Sequence, residues 1–232
     1  MFGRSIPKHC ALVCDSSVVA LAARRMLIAR HERETIDMYV IGLTGGIGMG
    51  KSTAAAAFRR AGIPVFDADA AVHSLQAPGG RALPAIAAAF PGSVVNGTLD
   101  RAALRAAVLE HPAALARLEA IIHPLVRRLE LAFLAAARRA RKRLVVLDVP
   151  LLLETGGERR VDRVVVVSAP PDVQIERVRR RRKMDPAQVR AVIARQMPDA
   201  VKRRRADHVV RTGLSRHHAQ RAIRRLVREL AP

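Results

Sequence analysis

The chain has 232 residues, enough for one domain of ordinary size with an inserted subdomain and a sizeable core. Its apolar runs are too short for a membrane-spanning helix, and its two cysteines, Cys10 and Cys14, both lie before residue 38, so the rest carries no disulfide and suits a reducing compartment. A formal net charge of +21 attracts phosphates, but with no Trp, one Tyr and five Phe a base-stacking platform is hard to assemble. The charge therefore reads as compositional drift toward Ala and Arg plus steering of a polyanionic substrate rather than as a specific nucleic-acid site.

Residues 1–37 mix basic side chains with a mildly apolar stretch and precede a plausible second start at Met38. They lack the long apolar core of a secretory signal, and Cys10-x-x-x-Cys14 has no second pair with which to bind zinc. The expectation is a disordered or loosely helical extension, or an upstream start that is not used in the cell, with a targeting segment as the alternative.

Residues 39–53 read YVIGLTGGIGMGKST. Gly45, Gly50, Lys51 and Ser52 satisfy G-x-x-x-x-G-K-[ST] between a run that reads as a buried strand and a pattern that begins a helix. Only backbone N–H groups wrap a triphosphate closely, which is why glycines recur here, and the helix adds its positive dipole end. The candidate ATP-binding set is Gly45, Gly46, Ile47, Gly48, Met49, Gly50, Lys51, Ser52 and Thr53. Lys51 would reach the β- and γ-phosphates and Ser52 would take a place on Mg²⁺.

The helix is expected to stop at Gly62, and residues 64–69 read as a short strand ending in Asp67 and Asp69. At the carboxyl end of a strand in an open α/β sheet both would emerge on the rim that carries the phosphate loop. If the chain stays extended they point to one side, and one of them could take a proton from a hydroxyl acceptor. The plainer alternative is an Asp that caps the following helix, residues 70–75.

Residues 77–140 show helical patterns with almost no strand signal: a turn at Asn96-Gly97, a helix after Asp100, and another opening at Pro112. His123-Pro124 is expected to sit at a junction between two helices, since residues before proline leave helical geometry. The block reads as a helical insertion and, in a kinase, as an acceptor domain. Residues 144–148 form a second buried strand ending in Asp148, a carboxylate placed to help hold Mg²⁺. Residues 162–168 form a third, parallel to the others because helices separate them. Arg177 and Arg181 share a helix face and could close over phosphates as a lid, although a solvated basic helix explains most of the charge nearby. A last short strand at residues 206–210 and an amphipathic helix at residues 214–230 end the chain.

These pieces resemble one family, dephospho-coenzyme A kinase. The matching residues are 42–52, Asp67-Ala-Asp69 with His73, Leu99-Asp-Arg101, Ile122-His-Pro124, Asp148 through Glu154, Gln174 with Arg177 and Arg181, Gln196-Met-Pro198, and Ala206-Asp207. The resemblance implies an α/β, P-loop NTPase core of about five parallel strands flanked by helices. The core would comprise residues 38–76 and 141–232, with a lid at about 177–200 and a helical acceptor-binding insertion at 77–140. It implies transfer of the ATP γ-phosphoryl group to the ribose 3′-hydroxyl of dephospho-coenzyme A, the last step of coenzyme A biosynthesis. Asp69 would be the base, with Lys51, Arg177 and Arg181 on the transferring charge and Ser52 and Asp148 holding Mg²⁺. Asp67, His73, Arg101 and His123 would lie near the acceptor. The implied partners are the small molecules ATP and dephospho-coenzyme A, in a cytoplasmic monomer or small homo-oligomer with neither a nucleic-acid nor a membrane partner. Three positions depart from the family pattern. Met49 stands where Ser is usual and is expected to contribute chiefly its backbone N–H; Leu153 replaces an aromatic; Arg211 replaces an Asn near the adenine. A different nucleotide kinase and a nucleic-acid-binding NTPase are the competing readings.

Overall fold

Apolar runs rich in β-branched residues pair side by side and set the frame of the molecule. The structure, a computed structural model, describes residues 38–109 and 111–230. The extension expected at residues 1–37, with both cysteines, lies outside the described residues. Among the described residues five parallel strands form one sheet in the order β2-β5-β1-β6-β7. They are β1 (Tyr39–Thr44), β2 (Val65–Asp67), β5 (Leu144–Asp148), β6 (Arg163–Ser168) and β7 (His208–Arg211). The central runs are apolar at almost every position because helices cover both faces.

The two faces follow the period of two along each strand. Ile41, Leu43, Leu144, Val146, Val165 and Val167 face helix α1 (Lys51–Arg60) and the closing helix α9 (Arg216–Leu230), which contribute Phe58 and Ile223. Val40, Val145 and Leu147 face the other way with Phe66 and Leu134. On that side the Phe66 and Phe133 rings lie 5.6 Å apart between centroids, in a tilted pair. Gly62, with φ of 77°, ends the first helical segment as expected.

Two acidic side chains fix where strands begin. Asp162 Oδ2 accepts the Val40 N–H at 2.7 Å while its own N–H donates to the Val40 carbonyl at 2.8 Å. Asp207 does the same to Val164, at 2.7 Å and 3.0 Å. Each carboxylate thus satisfies an N–H at the entry of a neighbouring strand that the ladder would leave open. Asp207→Ala is expected to lower stability by about 1–1.5 kcal/mol, the net worth of one such bond, as read from urea midpoints with unchanged slope.

Between β2 and β5 run helices α2 (Ala68–Leu75), α3 (Leu83–Ala89), α4 (Arg101–Val108) and α5 (Pro112–Arg139). They share a core around Leu75, Leu83, Ile86, Leu104 and Ile122. Three expectations are corrected here. First, β3 (Val94–Val95) and β4 (Thr98–Leu99) pair as a small antiparallel hairpin in a block that reads as a helical insertion with almost no strand signal. Its turn is the expected Asn96-Gly97, with φ of 50° and 72°, the positive pair that a tight two-residue hairpin needs. Second, α5 runs unbroken for 28 residues with Pro124 inside it, so His123 is not at a junction. Pro124 and Ala120 are both exposed, so the carbonyl that loses its donor faces water, while Ile122, Leu125, Val126 and Leu129 hold both halves to one core. Third, Asp69 is not extended: the helix starts at Ala68, and Asp67 is its cap.

After β6 come α6 (Pro171–Arg182), α7 (Pro186–Ala194) and α8 (Asp199–Arg204). Among the described residues no helix is long and apolar enough to cross a membrane.

Candidate active site

Because the strands are parallel, β1, β2, β5 and β6 all release their chains at one rim, and a cavity of about 1000 Å³ opens there. The loop of residues 45–50 forms its floor. Gly48 and Gly50 have φ of 75° and 89°, and a Cβ on Gly50 would lie 2.9 Å from the Thr212 hydroxyl, so glycine is needed on both conformational and steric grounds. The N–H of Met49 turns inward to the Gly46 carbonyl at 3.1 Å, and that of Ile47 donates to Gln196 Oε1 at 2.9 Å. Those of Gly48 and Gly50 meet no acceptor among the described residues, and the first-turn N–H groups of α1 lack intrahelical partners by geometry. Together they form an anion-binding end.

Lys51 and Asp148 meet on this floor, Nζ to Oδ1 at 2.7 Å, with the carboxylate side chain 3% exposed. Burial pushes the Asp148 carboxyl above the ordinary range; Lys51 opposes this by charge and hydrogen bond, and nearby Asp67 and Asp69 add to the rise. Asp67 stands beside Asp148 in the β2–β5 register. Ser52 opens the helix next to them, on the cavity wall. Among the described residues no three His, Cys, Asp or Glu side chains converge as a self-sufficient metal cage.

The two aspartates of the β2 end have different occupations. Asp67 Oδ1 accepts the Ala70 N–H at 3.0 Å and Oδ2 lies 3.6 Å from Arg59, so it caps α2 and pairs with α1. Asp69, in the first helical turn, lines the cavity and has no hydrogen bond or ion pair among the described residues. His73, one turn further on, also lines the cavity, and its Nδ1 lies 3.1 Å from the Arg101 guanidinium. Arg101 itself does not line the cavity. His123, exposed on α5, is not brought there either.

The arginines of α6 divide by contact. Arg177 donates to the Thr212 carbonyl at 2.7 Å and to the Thr212 hydroxyl at 3.1 Å, and reaches the Gly48 carbonyl at 3.4 Å. It therefore ties the phosphate loop to the end of β7, and its charge is already engaged with backbone dipoles. Arg179 and Arg180 are both held by Glu176, at 2.8 Å and 2.5 Å. Those two bonds depress the Glu176 carboxyl to about 2. Its stabilising contribution is therefore fully present above the ordinary carboxylate range and is lost as pH falls through about 2. A carboxyl-detected NMR titration is expected to give that low midpoint and to move upward in high salt, since the cluster is exposed. Arg181 lines the cavity with no partner among the described residues.

Several contributors were not read as site residues from the sequence. Thr212 donates its hydroxyl to the Met49 carbonyl at 2.6 Å, and Gln174 Nε2 donates to the Ile47 carbonyl at 2.9 Å. Arg59, Arg180, Ser215 and Arg216 also line the cavity. Met49 departs from the expected backbone service: its N–H is taken by the Gly46 carbonyl, its side chain is 3% exposed, and its Sδ accepts the Ala169 N–H at 3.1 Å. The loop after Asp148 is anchored by Glu154, whose carboxylate meets the buried Lys202 at 2.6 Å.

A family model described as dephospho-CoA kinase matches residues 39–216. A dephospho-CoA kinase of Bradyrhizobium diazoefficiens is 57% identical over 175 residues, covering 75% of this chain and 87% of that one. One of Gluconobacter oxydans is 53% identical over 197 residues, covering 83% and 98%. A crystal structure of a Thermus thermophilus protein superposes with a TM-score of 0.73 at 38% identity, over 84% of this chain and 99% of that one. The dephospho-CoA kinase of Campylobacter jejuni shares the fold, with a TM-score of 0.57 at 20% identity over 83% and 97%. The match runs from the first strand of the sheet through the phosphate loop, the acidic strand ends and the arginine helix into the closing helix, and the chain belongs to the dephospho-CoA kinase family.

Proposed function

We propose that this protein transfers the γ-phosphoryl group of ATP to the ribose 3′-hydroxyl of dephospho-coenzyme A, giving coenzyme A and ADP. One observation carries the reading: on a chain of this family, a phosphate loop with open N–H groups and a carboxylate, Asp69, all without partners among the described residues, line the same cavity. The acceptor hydroxyl oxygen attacks the γ-phosphorus, its proton goes to Asp69, and the bond from that phosphorus to the β–γ bridging oxygen breaks. Lys51 exchanges Asp148 for the phosphates, and Arg181, the lid cation without a partner among the described residues, neutralises the transferring group. Arg177 serves by holding the loop rather than as a free charge. The helical block of residues 77–140 holds the acceptor, with the His73–Arg101 contact at its edge.

The residues present suit Mg²⁺. The Ser52 hydroxyl and the Asp148 carboxylate are hard oxygen donors on residues that line one cavity, and a Mg²⁺ site of this kind draws its other ligands from phosphates and water rather than from a protein cage. When bound, the ion would offset the charge of the phosphates.

The test is coupled ADP release with Mg-ATP across dephospho-coenzyme A, nucleosides, nucleoside monophosphates and RNA, with mass detection of each acceptor. Turnover confined to dephospho-coenzyme A is expected. Phosphorylated nucleoside monophosphate would identify a different kinase, and ADP release stimulated by RNA alone would make the net charge of +21 the functional feature.

A further inference from the structure

Residue 47, in the phosphate loop, is gripped on both of its backbone groups. The Ile47 carbonyl accepts from Gln174 Nε2 at 2.9 Å, and the Ile47 N–H donates to Gln196 Oε1 at 2.9 Å. Each glutamine presents the end of its amide that the backbone group requires, one as donor and one as acceptor. The contact is built in: Gln174 is 5% exposed, and helix α6 presses so close that a Cβ on Gly48 would lie 2.7 Å from Val178 and 2.9 Å from the Gln174 carbonyl. Gln196 follows α7 by two residues and lines the cavity. The lid segment therefore leaves and returns to the core on either side of one loop residue, 127 and 149 positions away from its two partners.

The geometry points to Gln174 and Gln196 as positioning residues that hold the phosphate loop in its open, phosphate-receiving shape. The inference rests on the reading of this cavity as an ATP site. Two loop N–H groups are already taken, that of Ile47 by Gln196 and that of Met49 by the Gly46 carbonyl, whereas those of Gly48, Gly50 and the start of α1 meet no acceptor among the described residues and are left for phosphate. Donors fixed before the ligand arrives need no reordering on binding, which is where a glycine-rich loop would otherwise lose most. The same two bonds anchor the lid at both of its roots, so Arg181 approaches the phosphates from a support bonded to the loop it closes over.

The experiment compares Gln196→Met, Gln174→Met and the double variant in the full chain, with thermal unfolding as a check on folding. Gln196 is half-buried, so its single variant keeps the test open if the buried Gln174 is not replaceable. ATP and AMP are measured side by side, because AMP lacks the β- and γ-phosphates that the loop wraps. Each single variant is expected to weaken ATP about fivefold and the double about tenfold or more, with AMP changed less than about twofold and KM for dephospho-coenzyme A unmoved. Parallel loss for ATP and AMP would overturn the inference in favour of a merely structural role. Tighter ATP binding would overturn it too, since Gln196 would then be competing with a phosphate for the Ile47 N–H. Unaltered protein that fails to phosphorylate dephospho-coenzyme A would overturn the underlying reading; normal transfer with an unchanged ATP-to-AMP ratio in the variants would overturn the positioning role alone.

Discussion

Lys51→Met is expected to lower kcat by about 10²–10³-fold, because one fixed cation facing the β- and γ-phosphates is removed where charge develops. The same change also affects folding. Asp148 loses its 2.7 Å partner while its side chain remains 3% exposed, and orphaning a buried partner costs up to about 3–5 kcal/mol. The pH dependence separates the two effects. With Lys51 gone only raising influences remain on Asp148, namely burial and the Asp67 and Asp69 charges. Its folded-state pKa, already above the unfolded one, then rises further, so the stability it contributes is full below the ordinary carboxylate range and is lost as pH rises through the folded value. Melting at about pH 5 and about pH 8 is therefore expected to show a larger deficit against the unaltered protein at the higher pH. A deficit independent of pH would mean that Asp148 finds another partner.

Asp69→Asn is expected to reduce turnover about 10²–10⁴-fold, the usual contribution of a positioned base, while shifting stability by less than about 0.5 kcal/mol. The small stability effect follows from Asp69 having no partner to lose among the described residues. Asp67 makes the contrast. Its carboxylate caps α2, so Asp67→Ala is expected to cost about 1 kcal/mol in stability, with activity reduced only as far as α2 and Asp69 shift. Near-normal turnover in Asp69→Asn, with loss in Asp67→Asn, would move the base to the strand end. Steady-state kinetics alongside chemical denaturation distinguishes these outcomes.

The sheet and the phosphate loop were legible because their signals are local. A strand buried on both faces must be apolar along its central run, as in residues 144–147 and 164–167, and the loop motif carries its own strand and helix context. What local pattern missed was settled by distance in the chain or by the side that faces water. Pro124 reads as a break until its bare carbonyl partner turns out to be solvent-facing and the apolar stripe continuous. Asp69 reads as extended until helix α2 begins one residue earlier. The grip of Gln174 and Gln196 on Ile47, and of Thr212 on Met49, joins residues 127, 149 and 163 positions apart, and no periodicity within a window reports such pairs. The arginine segment was legible as charge but not as roles. Only the contacts separate Arg177 on backbone carbonyls and Arg180 on Glu176 from Arg181, which is unpartnered among the described residues.

The most direct measurement is the mass and phosphate position of the product formed from Mg-ATP and dephospho-coenzyme A by the unaltered chain. One added phosphate on the ribose 3′-oxygen, assigned by phosphorus–proton NMR and formed in step with ADP, is the predicted result. A phosphate elsewhere on the acceptor, or ADP release with no phosphorylated acceptor at all, would contradict the account.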